Sequence, residues 1–268
     1  MIMNYKRINH DVMLDTMHQY ENVPELVAAV GESISHQYMV AQEDAVDVPH
    51  AVESHTRYVV SGKRSFEAAK GYKGKKVAVL NFANNHHIGG SPFSAGAQEE
   101  SLCRCSTLYP CLQAMREAYY EKHLNLYMSH KIDYMGNDDI IYTPDVVVFK
   151  TDERTEPVWP KMMPQEEWYK VDVITCAAPE LLHGNRPPHD YEAQITRRIQ
   201  RILDVAAKEK AEVLILGKWG CGAFRNPADV VARVFKNLLK KYDFETVEFG
   251  LATNHISEDD IFAQLFMK

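Results

Sequence analysis

Residues 76–101 read KVAVLNFANNHHIGGSPFSAGAQEES. Residues 76–82 are a short apolar run with β-branched valines, the pattern of a buried strand. Gly89 and Gly90 mark a turn. Gln98, Glu99 and Glu100 follow where a helix should begin, since the positive end of a helix dipole favours acids in its first turn. Those acids have an ordinary explanation there, and the rest of the chain decides whether they have a second one.

The strand–turn–helix order recurs downstream. The helix opening at Gln98 is expected to cover 98–108, with a second opened near Pro110, because proline suits a first helical turn. Residues 145–149 (DVVVF) and 171–176 (VDVITC) read as strands. Ile195, Ile199, Ile202 and Ala206 share one face of a helix. Residues 212–216 (EVLIL) read as a strand, and Asn226-Pro227 as a helix start with Asn226 as cap. Val230, Val231, Val234, Phe235 and Leu238 give that helix its apolar stripe. Residues 246–251 form another strand, and Ser257 caps a last helix. Such alternation predicts an α/β sandwich with a largely parallel sheet. Ligands of such sheets bind at the carboxyl ends of the strands. The first 75 or so residues carry few strand signals and read as helical or irregular.

Bulk composition narrows the class. The chain has 268 residues, 46% of them hydrophobic and 25% charged, as in an ordinary globular protein. No apolar run approaches the roughly 18–20 residues of a membrane span. The first twenty residues lack the apolar core of a signal peptide, which predicts a cytoplasmic location. A net charge of −7 disfavours gripping a nucleic-acid backbone by bulk electrostatics. Five unevenly spaced cysteines argue against a disulfide framework. Cys103, Cys105 and Cys111 lack the spacing of a zinc knuckle and read as buried thiols.

Two loops stand at strand ends. One runs from Ala83 to Ser91. The other is Gly217-Lys218-Trp219-Gly220-Cys221-Gly222-Ala223-Phe224. Glycines in the second let the backbone approach a ligand and point successive N–H groups at it, and the following helix dipole favours an anion. A phosphate or diphosphate is the natural occupant. One such loop alone is equally well a tight βα turn, whereas two in one sheet favour a binding cleft. In the acids, the ~3.6-residue period sets Glu99 and Glu100 about 100° apart, so they are not expected to face the same atom. The helix start stabilises carboxylate over carboxylic acid, which opposes a general-acid role unless burial or a nearby anion raises the pKa.

At this point NFANNHHIGGSPFSAGAQEESLCRCSTLYP resembles the signature of bacterial-type poly(ADP-ribose) glycohydrolases: three glycines, a spacer, then Gln-Glu-Glu. VDVITCAAPEL and LGKWGCGAFRNP resemble the family's central strand and its diphosphate loop. The likeness covers most of residues 76–266 and is weaker before residue 75. It implies a macrodomain-like three-layer α/β sandwich with a mixed, largely parallel sheet, as one domain over 1–268: a helical extension over 1–75 and an α/β core over 76–268.

The resemblance also implies roles. Glu100 matches the glutamate that protonates the leaving group and activates water, and Glu99 the one that holds ribose hydroxyls. Gln98 orders the loop. Asn84 binds the reacting ribose, and Gly89 and Gly90 let the main chain approach it. Gly220, Cys221, Gly222, Ala223 and Phe224 match the diphosphate loop, with Phe224 against the ligand. The implied partner is ADP-ribose or poly(ADP-ribose), free or on modified proteins, with no cofactor, no metal, no nucleic acid and no membrane. One departure stands out: Ser91, followed by Pro92, occupies the place of the third glycine, which bears on whether the substrate is polymer or mono-ADP-ribose.

Other readings remain at this stage. A non-catalytic ADP-ribose reader would not need Glu100. A dinucleotide enzyme would want a partner acid ~20 residues on in a dinucleotide-fingerprint arrangement, and none supports that reading. Cys221, beside a helix start, could be a nucleophile, but no His and acid are placed to activate it. His86 and His87 are either phosphate contacts or plain loop residues.

Overall fold

The structure is a computed structural model describing residues 5–152, 160–182 and 184–267. The elements run α1 (Tyr5–Asn22), α2 (Pro24–His36), β1 (Tyr38–Val40), β2 (Arg57–Ser61), α3 (Ser65–Lys70), β3 (Val77–Ala83), α4 (Gln98–Cys105), α5 (Leu108–Ala114), a π-helical turn (Arg116–Glu121), α6 (Lys122–Met128), β4 (Ile140–Val148), β5 (Tyr169–Ala177), α7 (Tyr191–Lys208), β6 (Val213–Leu216), α8 (Ala228–Leu239), β7 (Thr246–Gly250) and α9 (Ile261–Phe266).

The strands form one sheet in the order β1-β4-β5-β3-β6-β7-β2. β5, β3, β6, β7 and β2 are mutually parallel, while β4 pairs antiparallel with β5 and with β1 at one side. The central strands are mostly apolar because helices cover both faces. Alternate residues of β3 split between two cores: Ala78 and Leu80 pack with α7 and α8, and Val77 and Val79 with α3 and α4. Ile195, Ile199 and Ile202 of α7 are fully buried against the first face, each contributing about 1.5–3 kcal/mol. This is the expected three-layer α/β sandwich with a mixed, largely parallel sheet.

Five details depart from the sequence reading. α4 stops at Cys105 rather than running to 108. The first 75 residues are not helical or irregular alone: β1 and β2 form both borders of the sheet, with Arg57 in register with Thr246 far along the chain. β4 begins at Ile140, because Pro144 and Asp145, which resemble a turn, form a bulge within the strand. Asp145 holds that bulge at φ 55° while its N–H donates to Asp172 Oδ1 at 3.1 Å. Asn226 does not cap α8, where Pro227 is the cap residue. Asp260, not Ser257, caps α9, accepting the Phe262 N–H at 3.0 Å.

Candidate functional site

The carboxyl end of β3 carries the first loop. Asn81 points to the α4 face, as strand alternation requires, and is fully buried. Its Nδ2 donates to Glu99 Oε1 at 3.1 Å and to Thr175 Oγ1 of β5 at 3.3 Å. Glu99 Oε2 accepts the Asn84 N–H at 2.8 Å, so both carboxyl oxygens are anchored to β3 and its exit. Burial pushes the Glu99 carboxyl up to about 8. The two N–H donors pull against that shift, and neighbouring Glu100 adds to it.

Glu100 is held differently. Its Oε1 accepts the Ser91 N–H at 3.1 Å, while its Oε2 is buried and has no partner among the described residues. Leaving such an atom unpaired costs roughly 1–3 kcal/mol or more, so it is a feature that stability alone does not select. Gly90 makes room for it. The residue sits at φ 67°, and a Cβ there would lie 2.5 Å from Glu100 Oε1 and 3.3 Å from Glu99 Oε2. The two acids therefore converge on one glycine edge despite leaving the helix in different directions. Flexible side chains undo the divergence expected from helical geometry.

Ser91 takes an ordinary backbone conformation, unlike Gly89 and Gly90 at φ 65° and 67°. Serine in place of the third glycine thus carries no backbone strain, and its side chain is exposed at the rim. Gln98 acts as a piece of strand. β3 pairs with β6 only through Val79; beyond it, the Gln98 carboxamide accepts the Phe82 N–H at 2.9 Å and donates to the Leu80 carbonyl at 2.8 Å. The sheet opens there without exposing unpaired backbone. Asn84 Oδ1 accepts the His86 and His87 N–H groups, both at 2.8 Å, and so shapes the loop entry.

The remainder of this loop is fastened from behind. Arg104 Nη1 donates to the Pro92 and Ala95 carbonyls at 2.7 and 2.8 Å. Asn9 of α1 donates to the Ser94 and Ala95 carbonyls at 3.1 and 3.0 Å.

The second loop leaves β6. Trp219, fully buried, donates its Nε1–H to the Cys176 carbonyl at 2.9 Å. Asn226 staples the loop: its Nδ2 donates to the Pro179 and Gly220 carbonyls at 2.8 and 2.9 Å, and its Oδ1 accepts the Tyr191 hydroxyl at 2.8 Å. Gly220, at φ 73°, must be glycine, since a Cβ would sit 2.7 Å from Asn226 Nδ2 and overlap Ala178. Among the described residues, the N–H groups of Gly220, Gly222, Ala223 and Phe224 donate to no protein acceptor. Successive free amides before a helix start make an anion-binding concavity.

Both loops line one cavity of about 450 Å³. Asn84, Gly90, Ser91, Gln98, Glu99 and Glu100 enter it from one side. Gly220, Cys221, Gly222, Ala223 and Phe224 enter from the other. Gly89 lies behind, where a Cβ would meet Cys103 Sγ and Tyr109. A second cavity of about 660 Å³ shares Phe82, Ala97, Gln98 and Lys218 with the first and extends over the ends of β7 and β2. His87 faces the first cavity. His86 turns away onto Tyr127, ring centroids 5.0 Å apart, and burial lowers its pKa. Burial pushes the Cys221 thiol up to about 12, the opposite of an activated nucleophile.

Sequence reasoning did not single out Asn81, Thr175, Lys218, Trp219 or the true work of Asn226. Asn81 had a visible signal: a lone polar residue at an inward position of VAVLNFA, where a buried amide demands partners.

Comparison with known proteins agrees with this geometry. The family described as microbial-type PARG, catalytic domain, matches residues 15–151. The structure resembles the Thermomonospora curvata poly(ADP-ribose) glycohydrolase bound to the inhibitor ADP-HPD. Identity is 26%, with 97% of this chain and 98% of that one covered and a TM-score of 0.78. It also resembles the Deinococcus radiodurans poly(ADP-ribose) glycohydrolase in complex with ADP-ribose, at 29% identity over 88% of this chain and 95% of that one, TM-score 0.72. No curated protein matches the chain. The fold is accordingly the macrodomain-like one of those enzymes, and the chain belongs to the microbial-type poly(ADP-ribose) glycohydrolase catalytic-domain family.

Proposed function

We infer that this protein is a glycosidase that hydrolyses the ribose–ribose O-glycosidic bonds of poly(ADP-ribose), releasing ADP-ribose, with Glu100 as the acid–base group. The observation that carries this reading is Glu100 Oε2, a buried carboxyl oxygen with no protein partner in a cavity whose far wall is four free amides. The amides and the start of α8 receive the diphosphate. The adjoining 660 Å³ cavity takes the nucleoside half, which the first cavity leaves outside. The reacting ribose then lies between Asn84, Gly90 and the carboxyl pair.

The chemistry follows from that placement. Cleavage passes through an oxocarbenium-like state, which adjacent carboxylate charge stabilises. Burial of Glu99 keeps a proton on that carboxyl near neutral pH. Glu100 delivers a proton to the departing ribose oxygen, then takes one from the attacking water. Glu99, fixed at both oxygens, orients ribose hydroxyls through its remaining lone pairs. Polymer that is free and polymer attached to a protein present the same bond. We take the whole chain as the working domain, since β1 and β2 complete the sheet. A cytoplasmic setting fits five cysteines that are all unpaired.

The test is release of ADP-ribose from poly(ADP-ribose). The wild type is expected to release it, and Glu100→Gln to lose at least ~100-fold in rate while still binding ADP-ribose. Equal turnover by the two removes Glu100 from the mechanism. Binding without turnover in the wild type would make the protein a reader of ADP-ribose.

A further inference from the structure

The first cavity is unbalanced in charge. Glu99, which burial keeps protonated near neutral pH, and Glu100 stand at one end, and the proposed ligand brings two negative charges on its diphosphate. The four free amides of the second loop are dipoles without net charge. Lys218 is the one lysine or arginine that lines this cavity among the described residues, and it lines the adjoining cavity as well. Two other cations, Lys63 and Arg64, line the adjoining cavity but not this one. Arg64 is tied to Asp152 at 2.9 Å and to Ser101, and Lys63 Nζ lies toward the Gly71 turn.

Lys218 is held ready rather than spent. Its side chain is 40% exposed and its Nζ pairs with Asp260 Oδ2. Asp260 Oδ1 is occupied by the Phe262 N–H at the start of α9. The ammonium has two further N–H groups, and Lys218 lines both cavities. A dianionic group there competes well for a partly solvated ion pair, because such a pair is individually weak.

We propose that Lys218 is the counter-cation for the substrate diphosphate and that Asp260 restrains it, the pair setting how strongly the cleft selects anionic ligands. The proposal rests on the functional reading above. Lys218 contributes its charge to the phosphate nearer the nucleoside, while Asp260 withholds part of that charge until ligand arrives.

The experiment measures ADP-ribose affinity by calorimetry, at low and at physiological salt, for the wild type, Lys218→Met and Asp260→Asn. Methionine keeps the length of the lysine stem and removes the charge. Asparagine keeps the helix cap and releases the lysine. Lys218→Met is expected to weaken ADP-ribose about tenfold and to flatten the salt dependence. Asp260→Asn is expected to tighten it two- to fivefold. A purely structural ion pair would move both variants in the same direction, accompanied by equal losses in thermal midpoint. Affinities within twofold of wild type for Lys218→Met, or shifts of the same sign in both variants, overturn the role of Lys218 alone. A wild type that fails to bind ADP-ribose overturns the functional reading beneath it.

Discussion

The loops after β3 and β6 leave neighbouring parallel strands at the same end of the sheet, and both are rich in glycine, yet they use glycine for opposite purposes. In the β3 loop, Gly90 is open so that two carboxyl groups can crowd its edge. There the loop backbone serves the side chains: the Ser91 and Asn84 N–H groups hold Glu100 and Glu99. In the β6 loop, Gly220 is open so that Asn226 and Ala178 can clamp the chain. There the side chains serve the backbone, fixing four amides that point outward. On the proposed function, one loop places the reacting carboxyl group and the other places donors, so chemistry and affinity should separate under mutation.

Gly90→Ala should break the first arrangement most severely. An added methyl meets Glu100 Oε1 at 2.5 Å and forces a left-handed backbone on alanine. Turnover on poly(ADP-ribose) is expected to fall at least ~100-fold, the scale of a misplaced catalytic group. Chemical denaturation should show a loss of about 1–3 kcal/mol.

Asn226→Ala tests the second arrangement. It strips partners from the Gly220 and Pro179 carbonyls and the Tyr191 hydroxyl, at a cost of about 2–3 kcal/mol. ADP-ribose affinity should drop about tenfold, a larger loss than any in turnover at saturation. If turnover falls and affinity holds, the division of labour between the loops is wrong.

Glu99→Gln sharpens the comparison through pH. Folding raises this carboxyl from 4.5 to about 8. Between those values the native state keeps a proton that the unfolded chain has released. The contribution of this group is therefore greatest below about 4.5 and is lost as pH rises toward 8. Glutamine abolishes the loss, and Asn81 Oδ1, which has no partner, can turn to accept from the new amide. Thermal midpoints of wild type and Glu99→Gln should converge near pH 5 and diverge in favour of the variant near pH 8. Identical pH profiles would mean that Glu99 is ionised in the folded state throughout.

Gly222→Ala is the smallest effect. Nothing lies within 4 Å of the added carbon and the backbone is not left-handed, so stability should stay within ~0.5 kcal/mol. A large change would show that this tip packs more tightly than described.

The parts of the fold legible in the sequence were those whose signal is local. Residues 76–82, 171–176 and 212–216 announced buried strands because both faces are covered and most positions are apolar. The acid pair and the second glycine loop were legible as a motif. Long-range pairing hid the rest. β1 has three residues and β2 five, each half-buried, so neither shows an apolar run or a clean alternation. Their identity as strands comes from partners at Tyr142 and Thr246. Asn226 looked like a cap since Asn-Pro is a strong helix-start signal. Its three tertiary partners, from Pro179, Tyr191 and Gly220, outbid the local use. The convergence of Glu99 and Glu100 depends on Gly90 folding back over them, which helical spacing alone does not encode.

The bond from Asn9 to the Ser94 and Ala95 carbonyls bears on how small such an enzyme can become. Discarding the leading helix would save length but unbolt the loop that leads into α4 and Glu100. Cutting further, to residue 75, would also strip both borders from the sheet. Truncation from the front therefore removes the partners of buried Lys150 as well as Asn9, so a minimal active version has to keep that helix.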